Sequence, residues 1–286
     1  ANRSRDFGRM AVSGNLGFII GPALAGLLGA TVLGHLLPVM AAFAISALAL
    51  GLIRFGLADI APKPISVTPE QPTACDVYGH EPKAAYELAC EPASGPGAIR
   101  ALPNMPALMA VNFLVMLGFS FFYVAFPVHA VEGLGWSVTR IGGYFAGLSL
   151  LMIVAQGPVL SRLAPRVGAR SLMGAGGVAL AAGFALLGAE GNAAVIAAAV
   201  LVALGNGIMW PTFMAALSQS AGTELQGAVQ GLASSAGAVA SIAGLVAGGL
   251  LYVTLGAALF PMAAVVMALA ALLALSYRAP AAAAPA

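Results

Sequence analysis

The sequence predicts an all-α fold: a polytopic membrane helix bundle with eight transmembrane helices. Three observations predict it. First, 60% of the residues are hydrophobic and only 8% charged, with a mean hydropathy of +0.97, which excludes a water-soluble domain. Second, eight stretches approach the about 20 apolar residues that a helix needs to cross hydrocarbon. They run over 9–30, 36–57, 106–129, 138–160, 172–189, 193–217, 226–252 and 255–277. Third, if these spans alternate in direction, eleven of the twelve Lys and Arg residues fall on one side, and only Arg140 on the other. Basic residues collect in cytoplasmic loops, so both ends of the segment and its long central loop are expected in the cytoplasm. The net charge of +2 thus reads as a topology signal. No basic cluster resembles a nucleic-acid surface, and the first partner implied is the lipid bilayer of a cell (inner or plasma) membrane.

The first span belongs to a near-repeat. Moved by 223 positions, Gly8, Gly14, Gly21 and Gly26 fall on Gly231, Gly237, Gly244 and Gly249, and Pro38 falls on Pro261. One offset that aligns separated Gly and Pro positions points to internal symmetry between two halves. Within the stretch, Gly17, Gly21 and Ala25 lie four apart and allow close helix packing, while Pro22 removes an amide donor and bends the helix. Plain Gly-rich packing is the alternative reading. The segment opens Ala1-Asn-Arg-Ser without a starting Met or a recognisable leader, and is expected to be cut from something longer.

The second span closes on Arg54, placed to snorkel to the cytoplasmic interface. His35, before it, reads as a solvated loop residue. From Asp59 to Asn104 apolar periodicity gives way to Pro, Lys, Glu, Asp and Ser, the composition of a linker. Its Cys75, His80 and Cys90 lack the close ligand pair of a zinc site and read as reduced thiols and a lone imidazole, so no metal and no cofactor are expected.

In the third span Asn112, Met116, Phe119 and Tyr123 share one helical face, with Ser120 beside it. A polar group in lipid must face protein or water, so this face is expected to line a cavity or a neighbouring helix. Trp136, in the outer loop, reads as part of an interfacial aromatic belt. The run from Gln156 to Arg170 reads as a cytoplasmic turn with three arginines. Asn206 and Trp210 of the sixth span, beside Pro211, have the chemistry to contact a ligand: the ring offers apolar area, and the amide and indole orient the molecule. Gln230 of the seventh span joins them as a candidate, whereas Ser234, Ser235 and Ser241 are accounted for by packing. The eighth span, nearly all Ala, Leu, Val and Met, is expected at the periphery.

Residues Gly17-Phe-Ile-Ile-Gly-Pro-Ala-Leu-Ala-Gly26 resemble the fifth-helix antiporter motif of the major facilitator superfamily, in particular its drug:proton antiporter branch, which includes the tetracycline exporters. Gln156-Gly-Pro158 through Gly168-Ala-Arg170 resembles the second-half loop motif between helices eight and nine. Ala25 stands where the family usually has glycine, and Ser161 where the loop often has an acid. The resemblance implies that the eight spans are helices 5–12 of a twelve-helix transporter. Residues 1–57 then end the first six-helix bundle, 58–105 form the cytoplasmic linker, 106–278 form the second bundle, and 279–286 are a low-complexity tail. It further implies alternating access and proton-coupled efflux of a small organic molecule, with Gly17, Gly21, Pro22 and Gly26 as a conformational motif. Gly157, Arg162, Arg166, Gly168 and Arg170 would form the cytoplasmic loop motif. No Asp or Glu lies in a span, so coupling acids are expected outside this segment. Substrate contacts are expected from Asn112, Ser120, Tyr123, Asn206, Trp210 and Gln230. The alternatives are an uptake transporter of the same fold and a polytopic enzyme acting on lipid. The latter would need clustered acid, His or Cys side chains at a membrane face.

Overall fold

A computed structural model of the protein describes residues 17, 20–21, 24–29, 31, 34, 36–56, 99, 102–189, 191–221 and 225–278. Pro22, His35, the stretch with Cys75, His80 and Cys90, and the tail at 279–286 lie outside the described residues. Among the described residues all regular structure is helical. Part of the opening stretch is helical, at 17, 20–21 and 24–29. There follow α1 (Leu36–Gly56), α2 (Met105–Glu132), α3 (Val138–Leu163), α4 (Ala169–Leu187), α5 (Asn192–Ala221), α6 (Gln226–Leu255) and α7 (Leu259–Ala274). Six stretches among the described residues are long and apolar enough to cross a membrane. The last, Gln226–Ala274, holds two expected spans, α6 and α7, joined by a 3₁₀ turn at Gly256–Ala258 in which Gly256 takes φ +53°.

Apolar content alone makes these helices; what arranges them is close backbone approach. Helix α4 packs along α5 and α7, α2 packs along α6 and α7, and α3 leans on α5. At the α4–α5 crossing a Cβ on Gly176 would stand 2.8 Å from the Gly205 carbonyl oxygen, and one on Gly205 would stand 2.6 Å from that of Gly176. Two backbones this close leave no side chain to yield, so only glycine fits. Helix α1 buries no residue, and its Phe43, Leu48, Leu52 and Phe55 are all exposed. The expected periphery of the last span is half met. Phe260, Ala263, Met267 and Ala270 of α7 are buried in the bundle, while Val265, Leu269 and Leu272 face outward.

Two expectations need correction. The run from Gln156 does not turn at once: Pro158 lacks an amide hydrogen, and the helix absorbs it as a π-helical turn over Ala155–Val159 before continuing to Leu163. Trp136 does not sit in an interfacial belt. It is 5% exposed, donates its indole N–H to Asn192 Oδ1 at 2.9 Å, and lies under the Arg140 guanidinium at 4.3 Å. Protein rather than headgroups surrounds it, because the start of α5 supplies the acceptor.

Long-range bonds fix the ends of the bundle. Asn104 Nδ2 donates to the Arg278 carbonyl at 2.7 Å, and the Arg278 amide donates to Asn104 Oδ1 at 2.9 Å. This reciprocal pair brings the start of α2 beside the end of α7. Trp136 and Asn192 tie the α2–α3 loop to the start of α5 at the opposite end. Alternating helices give this pairing of ends, and it places Arg162, Arg166, Arg170 and Arg278 together at one end, away from Arg140.

Gly205→Ala is expected to lower stability by about 1–3 kcal/mol through overpacking. Gly143→Ala, where a Cβ meets nothing within 4 Å, should leave it unchanged. Thermal unfolding of the two variants in detergent checks this.

Candidate functional site

A cleft of ≈ 350 Å³ opens between α2, α5 and α6. Asn112 and Met116 reach it from α2, Trp210 and Met214 from α5, and Gln230, Ser234, Gly237 and Ser241 from α6. Three helices can share this space because α2 and α6 are pinned together on one side of it. Asn112, 3% exposed, donates its Nδ2 to the Ala233 carbonyl at 2.7 Å. That single bond crosses the α2–α6 seam and leaves Asn112 Oδ1 as an acceptor at the cleft wall. Across from it Trp210, the residue immediately before Pro211, stacks on Phe213 with ring centroids 5.3 Å apart.

Asn112, Trp210 and Gln230, three of the six expected contact residues, therefore meet in one cleft. The other three lie outside its wall. Ser120 is buried against Gly244 and returns its hydroxyl to the Met116 carbonyl at 2.8 Å, satisfying itself within its own helix. Tyr123 joins an aromatic cluster: its ring stacks on Phe145 at 6.1 Å, beside Phe122, which stacks on Phe184 at 5.5 Å. Asn206 points its amide at the Met152 sulfur, 3.9 Å away, on the α3 side of α5. Sequence reasoning passed over Met214, Ser234 and Ser241. The signal for the serines was present, since positions 230, 234 and 241 fall within about 40° of one another on a helical wheel. No cleft-lining residue titrates near neutral pH.

The expected motifs occupy other places. Gly26 is buried, and a Cβ on it would lie 2.9 Å from Gly142 Cα in the first turns of α3, whose Thr139 hydroxyl donates to the Gly26 carbonyl at 3.3 Å. A Cβ on Gly17 or Gly21 would meet nothing within 4 Å, so of the described glycines of the motif Gly26 is the one packed against α3. In the loop motif the arginines serve helix ends. Arg162 Nη1 donates to the Pro158 carbonyl at 2.8 Å and Arg166 Nη1 to the Arg162 carbonyl at 3.0 Å. One of these carbonyls lies in the π turn and the other in the last turn of the helix. Gly157 lies in that π turn, Gly168 caps α4, and Arg170 stands in its first turn. A second, smaller cleft of ≈ 220 Å³ lies beside this turn, walled by Leu160, Ala164 and Val167 against Pro211, Thr212 and Ala216.

A bundle of apolar helices with a cleft of mixed polar and apolar lining between them is the architecture of a polytopic membrane protein. The family model described as Major Facilitator Superfamily matches residues 108–286, and the chain belongs to that superfamily. It is similar to the class D tetracycline resistance protein of Salmonella ordonez, at 26% identity over 244 residues, 85% of this chain and 57% of the relative. The class C protein of Escherichia coli, 26% identical over 243 residues, and the class G protein of Vibrio anguillarum, 26% over 249, cover the same shares. The chain thus spans 57% of the length of these relatives.

Asn112→Leu should cost about 0.5–1.5 kcal/mol of stability, because it removes the side-chain donor to the Ala233 carbonyl. Gln230→Leu, whose amide has no hydrogen bond among the described residues, should cost nothing measurable. Thermal unfolding in detergent separates the two.

Proposed function

We propose that this chain is part of a proton-coupled efflux transporter for a small amphipathic organic molecule, bound in the cleft between α2, α5 and α6. The observation that carries the reading is the meeting of Asn112, Trp210 and Gln230 at one cleft within a largely apolar bundle. Polar side chains inside a membrane bundle are costly and mark ligand paths. A tryptophan face with amide groups around it suits a molecule that is flat and apolar on one side and hydrogen-bonding on the other. The similarity to tetracycline resistance proteins supports efflux as the direction.

On this reading residues 1–57 close the first six-helix bundle, 58–105 link the halves in the cytoplasm, and 106–278 form the second bundle, in a cell membrane. The contact of Gly26 with Gly142 is the outer seal between the halves. Rocking of the bundles breaks that seal and closes the opposite end, carrying the cleft from one side to the other. The arginine-capped loop after α3 holds helix ends firm during the motion. The cleft wall carries no acid, so the coupling proton rides on a carboxylate elsewhere in the transporter.

The test is transport by the complete natural protein in everted membrane vesicles, with tetracycline as the first probe. Uptake should require a proton gradient and collapse with an uncoupler. Trp210→Ala should lower it about tenfold, and Gly26→Leu should abolish it by wedging the seal open. Uptake unaffected by uncoupler, or insensitive to both substitutions, would remove the proposal.

A further inference from the structure

Helix α6 has three distinct faces. Val229, Ala233, Ala240 and Gly244 are buried, and the seam against α2 is built along this side. Val239, Ile242, Val246, Leu250 and Val253 are exposed and wholly apolar, as a lipid-facing surface must be. Between them runs the strip of Gln230, Ser234 and Ser241, bordering the cleft. The hydroxyls of Ser120, Ser149 and Ser276 turn back to their own helix carbonyls, at 2.8, 2.9 and 2.6 Å. Ser234 and Ser241 do not, and like Gln230 and the Trp210 indole N–H they have no hydrogen-bond partner among the described residues.

Resting on the binding-site reading above, we infer that this strip is the specificity-determining edge of the site. It selects elongated molecules that carry uncharged hydroxyl, carbonyl or amide groups along one side. The helix sets the scale. Seven residues at about 1.5 Å each separate Ser234 from Ser241, so a ligand engaging both presents polar groups about 10 Å apart. Gly237, between them, adds no side chain to hold the ligand off the helix. Asn112 Oδ1 receives a donor from the same edge, and Trp210 and Met214 cover the opposite, apolar face. Packing between α2 and α6 does not require the two serines, because the seam closes through Asn112, Ser120 and Gly244 without them. The strip recognises shape and hydrogen-bond spacing without charge.

The test uses the complete natural protein in lipid nanodiscs. In a Cys75→Ala, Cys90→Ala background, Ser234→Cys and Ser241→Cys should react with a membrane-impermeant maleimide, and Val239→Cys and Val246→Cys should not. Unreactive strip positions would overturn the inference whatever the protein transports. Quenching of Trp210 fluorescence, taken as the difference from Trp210→Phe, then reports binding of two probes. Tetracycline bears polar groups along one edge; N-phenyl-1-naphthylamine is aromatic and lacks them. The double variant Ser234→Ala, Ser241→Ala should weaken tetracycline about tenfold and leave N-phenyl-1-naphthylamine within twofold. Equal loss for both probes, or no loss for either, would overturn the inference while leaving the binding site in place. If neither probe bound or protected the cysteines from labelling, the binding-site reading itself would fall, and the strip's role in selection with it.

Discussion

The structure depends on backbone meeting backbone. Between helices in lipid there is no hydrophobic gain from leaving water, so cohesion comes from van der Waals contact and a few polar bonds. Gly176 against Gly205 is the clearest case, each barring a side chain on the other. The aromatic cluster around Phe122 and Phe184 fills the neighbouring volume with rings at edge-on and stacked angles. Where such contacts are dense, the helices run as a solid block. Where they stop, as between α2, α5 and α6, the cleft remains, and its polar groups are there because the tight seams on either side hold it open.

That division of labour explains how the same residue types come to differ in role. Asn112 is committed to the Ala233 carbonyl and so belongs to both the seam and the cleft. Ser120, one short stretch further along α2, faces Gly244 and has spent its hydroxyl on its own helix. Helix α5 changes partners along its length. Its Gly207 abuts Ala155 of the π turn in α3, and its Trp210 reaches the cleft on the other side. Irregular backbone in the two helices meets here, with the π turn around Pro158 on one and Pro211 on the other. Both are places where a helix bends at little added cost.

The spans were legible in the sequence because lipid demands about 20 apolar residues whatever the fold, and every helix from α1 to α6 lies where hydropathy puts it. The exit of α3 was not, since Gln156-Gly-Pro158 has the composition of a turn and only a π register lets it continue. Asn112, Trp210 and Gln230 were legible because each is conspicuous against an apolar helix. Ser120 and Tyr123 share a face with Asn112 and yet leave the cleft. A hydroxyl can satisfy itself locally, and a ring follows the nearest rings, neither of which a helical wheel records. Ser234 and Ser241 were read as packing because serine among glycines so often is. The partner of Trp136 lies 56 residues away and has no trace in local pattern.

The pairing of Asn104 with Arg278 makes the α2–α7 bundle a ring in connectivity as well as in space. Its chain enters and leaves at one hydrogen-bonded corner, held by two bonds in opposite directions. Asn104 accepts a left-handed backbone, φ 64°, to make them. The order in which the six helices are strung together is then not what holds them. Joining position 278 to 104 by a short connector and reopening the chain at the exposed Gly191 corner before α5 would leave the interhelical seams and the cleft with the same neighbours.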